Sequence, residues 1–135
     1  MEVKTTIEIK IQKFVMTYGA ERLIVWMDHF DKVINSKEYP LFRDLERAAC
    51  HACGISIADM RKFSNTPCTN SKRIISFVAT HEFKLSVLSI ATLLGLSDRT
   101  VNYYLRDAEE WISQPKSNKQ FVDAYNKVIQ TLKLE

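Results

Sequence analysis

A helical face of polar and basic side chains is the first feature in this chain with types and spacing suited to chemistry. It comprises Ser97, Asp98, Arg99, Asn102, Tyr103 and Arg106. Arginine can pair with guanine and asparagine with adenine at exposed base edges. Ser97 and the first backbone N–H groups after it can grip a phosphate at a helix N-terminus. Asp98 opposes that contact by repelling phosphate, although a carboxylate suits the start of a helix. A solvated helix face that never meets a polyanion is the plain alternative.

Two other clusters invite a chemical reading. Cys50-His51-Ala52-Cys53, with Cys68 and His81 downstream, has zinc-type residues. A Cys-x2-Cys pair within one helix is poor geometry for a structural zinc knuckle, and small buried thiols explain it better. No metal is expected. His29 lies between Asp28 and Asp31. Acid–base work would also need a nucleophile or an oxyanion donor, and none is apparent. The sequence therefore reads as a non-enzyme without a cofactor.

Charge supports a polyanionic partner. The net charge of +3 is supplied by residues 55–108; the segments before and after balance to zero. Between Met60 and Arg106 the basic residues are Arg61, Lys62, Lys72, Arg73, Lys84, Arg99 and Arg106, against Glu82 and Asp98. Such local imbalance points to nucleic acid more than the whole-chain value does.

These residues require a helical frame. The 135-residue length suits one domain with its own core, and three Gly and three Pro are too few for a turn-dense β-sandwich. No apolar run reaches membrane-spanning length, and MEVKTTIEIKIQK lacks an uninterrupted signal-peptide core. Three cysteines, an odd number, fit free thiols in a reducing cytoplasm.

The apolar period predicts an all-α fold. A helix over 5–18 places Ile7, Ile11, Phe14, Val15 and Tyr18 on one face, although 5–11 also alternates as a strand would. Gly19 separates it from a helix over 20–34 carrying Leu23, Trp26, Met27, Phe30, Val33 and Ile34. Residues 35–40 read as a connection. Helix 41–53 turns Leu41, Leu45, Ala48, Ala49 and Ala52 inward and ends at Gly54; Ser56 caps a short helix through Met60. Residues 63–71 read as a loop flanked by Arg61-Lys62 and Lys72-Arg73, followed by a helix over 72–82 bearing Ile74, Ile75, Phe77, Val78 and His81. Residues 117–133 form a final amphipathic helix with Phe121, Tyr125, Val128 and Leu132 on one side. The expected organisation is an N-terminal helical hairpin (1–37), a helix-turn-helix domain (38–114) and a C-terminal packing helix (115–135), as one compact unit.

Residues 86–106, SVLSIATLLGLSDRTVNYYLR, have the mechanical parts of a helix-turn-helix. Ser86 caps a first helix with Leu88, Ile90, Ala91 and Leu94 inward. Ala91 permits close helix crossing, Gly95 supplies positive φ at the turn, and Leu96 plugs it. Ser97 caps a second helix that turns Val101, Tyr104 and Leu105 inward.

Residues about 45–111 resemble the C-terminal double-stranded-DNA-binding domain of the bacterial replication initiator DnaA, in the Trp-repressor-like helix-turn-helix group. The resemblance rests on Gly54-Ile55-Ser56 leading into a short turn helix, a basic loop, a helix opening with Lys72-Arg73-Ile74-Ile75, Leu85–Gly95, and Thr100-Val101 in the second helix of the motif. It implies that Arg61, Lys62, Lys72 and Arg73 grip DNA backbone in or beside the minor groove. It implies that Ser97, Asp98, Arg99 and Thr100 open a helix that reads the major groove. Ser97-Asp98-Arg99-Thr100 replaces the family's Asp-His-Thr-Thr, which implies a target other than the initiator box. No Walker-type phosphate loop occurs, and residues 1–37 fall outside the resemblance.

Two function classes follow. One is a duplex-DNA-binding regulator or replication accessory; the other is a helical interaction module that keeps the fold without DNA. The consecutive Leu23-Ile24-Val25-Trp26-Met27 points all round its helix, so residues 1–35 are expected to mediate a homodimer.

Overall fold

The computed structural model describes residues 6–134, and within them the side chains of all but Thr6, Ile7, Trp26 and Val33. The inward placement expected of Ile7, Trp26 and Val33 lies outside the described residues. The described chain is all-α: helices α1 (Thr6–Tyr18), α2 (Ala20–Ile34), α3 (Tyr39–Cys53), α4 (Ile57–Lys62), α5 (Thr66–His81), α6 (Val87–Leu94), α7 (Asp98–Ser113) and α8 (Lys119–Leu132), with a 3-10 turn at Pro115–Ser117. Among the described residues no strand occurs, and no helix is long and apolar enough to cross a membrane. The alternating 5–11 segment therefore enters α1 from Thr6 onward.

Contacts divide the chain into Met1–Asn35 and Ser36–Glu135. In the first unit α1 and α2 touch each other and are joined by Gly19 alone, at φ +90. Phe14, Val15, Leu23 and Phe30 are half-buried there.

The second unit is built on α5. It packs against α3 on one side and α7 on another, while α8 closes over α3. The central apolar side chains are Phe42, Leu45, Met60, Ile74, Ile75, Ile90, Val101, Phe121 and Val128, all fully buried. Trp111 and Phe121 meet edge-on with ring centroids 5.1 Å apart, tying α7 to α8.

Helix ends follow their capping residues. Ser56, Ser86 and Ser97 each accept a hydrogen bond from the backbone N–H three residues on, and Gly54 and Gly95 close α3 and α6 in the left-handed conformation.

Two boundaries and two inward positions differ from expectation. Helix α3 starts at Tyr39, not after Pro40, because a proline in the first turn lacks only an N–H that has no helical partner anyway. Helix α5 starts at Thr66, so most of the expected 63–71 loop is helical. Asn65 caps it by accepting from Cys68 N–H at 3.3 Å, and Pro67 again sits in the first turn. Leu41 is exposed and Phe42 takes the core position; Leu88 is likewise exposed while Leu93 is buried.

Between α5 and α6, Lys84 adopts φ +57, and the Leu85 N–H returns to the Ala79 carbonyl at 3.0 Å. This is the left-handed residue of a helix C-terminus, where a side chain is strained. Lys84→Gly is expected to raise unfolding free energy by about 0.5 kcal/mol, the ~1–2 kcal/mol relief being partly offset by glycine's greater unfolded freedom. A urea midpoint at or below that of the parent protein would contradict it.

Candidate nucleic-acid interface

The candidate interface is the outer face of α7 together with the α6–α7 turn. The turn is short: after Leu94, Gly95 at φ 69 reverses the chain, Leu96 N–H donates to the Ala91 carbonyl at 2.9 Å, and Ser97 begins α7. Val101 and Ala108 are buried under α7, and Tyr104 and Leu105 are half-buried. The opposite face is therefore held outward by packing beneath it.

That outer face carries Ser97, Asp98, Arg99, Asn102, Tyr103 and Arg106, all exposed, with Thr100 half-buried. The Ser97 hydroxyl accepts from Thr100 N–H at 3.2 Å, and the two hydroxyls share a hydrogen bond at 2.9 Å. Arg99 donates to the Tyr103 hydroxyl at 3.2 Å. The guanidinium groups of Arg99 and Arg106 lie 5.6 and 5.5 Å from the Tyr103 ring centroid. Two turns of helix thus present an aromatic ring flanked by two cations. Among the described residues no carboxylate is within ion-pair distance of either arginine.

The four basic residues assigned by resemblance to a DNA-gripping loop are placed differently. Lys62 is exposed, with its ammonium 5.3 Å from the Phe63 ring centroid. Arg61 is committed to the fold. It donates to the Glu46 carboxylate at 2.6 Å and to the Leu93 carbonyl at 2.9 Å, joining α4 to α3 and to the end of α6. Arg73 donates to Asp107 at 3.1 Å and to Thr69 and Asn70, and its guanidinium lies near the Tyr104 and Trp111 rings. It holds α5 to α7.

Lys72 is 6% exposed and donates to the Phe63 carbonyl at 3.1 Å. Its place on the second turn of α5, facing inward, follows from the early start of that helix. Of the four, Lys62 is the one whose charge faces solvent without an internal ion pair or hydrogen bond among the described residues.

Burial holds the Lys72 ammonium below the usual lysine range, with the Cys68 thiol opposing the shift. The unfolded chain then binds the extra proton, so the penalty is present at neutral pH and fades as pH rises toward about 10. Against Lys72→Met, the parent protein should gain relative stability between neutral pH and pH about 10. Urea midpoints at the two pH values check this; an unchanged difference would contradict it.

Two of the thiols, Cys50 and Cys53, offer little reactivity. Burial first, and the Glu46 carboxylate second, push Cys50 up to about 11; burial likewise raises Cys53. Both are protonated at neutral pH, the form that neither attacks electrophiles nor ligates metals. The Cys50 thiol lies 3.5 Å from the Met60 sulfur. Among the described residues no three His, Cys, Asp or Glu side chains converge as a metal site. His29 is half-buried on α2, and the His81 ring packs tilted against Phe77 with centroids 4.3 Å apart.

Glu46, 1% exposed, is a buried charge that the sequence reading missed. Its spacing from Leu45 and Ala49 on the inward face of α3 was the available signal.

No known protein family, curated protein or solved structure matches the chain.

Proposed function

We propose that this chain is a double-stranded-DNA-binding protein, a regulator or replication accessory, in which α6 and α7 act as a helix-turn-helix and α7 enters the major groove. The carrying observation is the exposed Arg99–Tyr103–Arg106 stack beside Asn102, on a helix fixed from beneath by Val101 and Ala108. The guanidinium donors and the Asn102 amide are suited to base edges, and the tyrosine ring keeps the arginines extended. Ser97 and the first N–H groups of α7 suit a phosphate, which fixes register without reading sequence.

The resemblance to the DnaA DNA-binding domain supports the same surface, with one change. Arg61, Lys72 and Arg73 are structural in this reading, leaving Lys62 as the backbone contact contributed by the α4–α5 connection. Their internal partners are the reason.

Selection from a random duplex library, followed by sequencing of the retained molecules, tests the proposal. A recurrent motif containing guanine is expected. A retained pool with the composition of the input, at low salt, would favour the helical interaction module instead.

A further inference from the structure

We propose that Met1–Asn35 pairs with the same unit of a second copy, α1 of each chain lying on α2 of the other. The inference is independent of DNA binding. It starts from apolar side chains that the α1–α2 contact leaves outside. On α1, Ile9 and Met16 are 42% and 86% exposed; on α2, Ile24 and Met27 are 59% and 47% exposed. Ile9 and Met16 are seven residues apart and share one helix face, as do Ile24 and Met27 at a spacing of three. Ile9 and Met16 lie on the side of α1 away from the half-buried Phe14 and Val15; on α2, Met27 lies a turn from both half-buried Leu23 and Phe30 and remains 47% exposed beside them, with Ile24 to one side of that row.

The charges beside the two strips identify the occupant. Lys13 lies four residues from Ile9 and three from Met16, with Lys10 a turn behind it, so the α1 strip has a basic edge. Asp28 lies four residues from Ile24, and Asp31 lies four from Met27, so the α2 strip has an acidic edge. All four charged residues are exposed. A basic-edged apolar strip and an acidic-edged one on the same unit are complementary to each other. A two-fold pairing that sets each strip against its opposite would make a self-complementary interface. Two short helices also bury too little to form a stable core by themselves, whereas four do.

Sedimentation of the intact chain at micromolar concentration should show a dimer. Lys10→Glu with Lys13→Glu makes both edges acidic; Asp28→Lys with Asp31→Lys makes both basic. Each double variant alone should raise the dimer dissociation constant at least about tenfold through like-charge contacts. An equimolar mixture of the two should restore association. Met16→Gln, at the most exposed position, should also weaken the dimer and guards against misfolding of the charge variants; helical circular dichroism confirms their integrity. A parent chain that stays monomeric throughout the micromolar range would overturn the proposal. So would a dimer indifferent to both charge variants, or a mixture that associates no better than its components.

Discussion

Arg61→Ala is expected to destabilise the protein by about 3 kcal/mol, the low end for removing one member of a buried ion pair. The carboxylate of Glu46 is 1% exposed, and its partner Arg61 donates to it at 2.6 Å. Without the guanidinium a charged group stays inside the fold, and the Leu93 carbonyl loses a donor at the end of α6. The Arg61 side chain is itself 38% exposed, so water can partly follow into the space, which keeps the effect from being larger. Replacing both members, Glu46→Leu with Arg61→Met, should recover most of the loss, because no buried charge remains. Urea unfolding of the single and double variants measures both effects. A loss below about 1 kcal/mol for Arg61→Ala would place this pair among ordinary surface contacts.

The second large effect concerns binding. Arg99→Ala and Arg106→Ala are each expected to weaken binding to the selected duplex by ~1–3 kcal/mol while leaving the urea midpoint unchanged. Asn102→Ala should act similarly at a different base position. Tyr103→Leu removes the ring between the arginines and should weaken both contacts together. These side chains are exposed and lie opposite the buried Val101, so stability and affinity separate cleanly. Lys72→Ala and Arg73→Ala should show the reverse pattern, lowering stability through lost internal bonds while the folded protein retains its affinity. Equal losses on selected and random duplexes for Arg99→Ala would remove its assignment as a base-reading residue.

The parts of the fold legible in the sequence are those set by local chemistry. Ser56, Ser86 and Ser97 cap helices wherever they precede an apolar period, and Gly54 and Gly95 mark helix ends because the left-handed conformation favours them. The outer face of α7 was legible for the same reason: a strict helical period separates Val101 from Arg99, Asn102 and Arg106. The segment 63–71 misleads because Asn, Thr and Pro are common both in loops and in the first turn of a helix. Asn65 and Pro67 serve the second use.

That shift alters the site more than the fold, since it turns Lys72 inward and Arg73 toward Asp107. Whether a basic residue faces solvent depends on carbonyls and carboxylates distant in sequence. Glu46 for Arg61, Asp107 for Arg73 and the Phe63 carbonyl for Lys72 are brought near by tertiary packing alone. Residue type and spacing cannot register such partners.

A fluorescence-anisotropy titration of a labelled duplex by the intact chain across a salt series tests directly whether α7 binds duplex DNA. Saturable binding is expected, with a logarithmic affinity that falls linearly with the logarithm of salt concentration as phosphate contacts release counterions. Arg99→Ala with Arg106→Ala should reduce both the affinity and that slope. No binding at low salt, or binding that the double variant leaves untouched, would contradict DNA binding by α7.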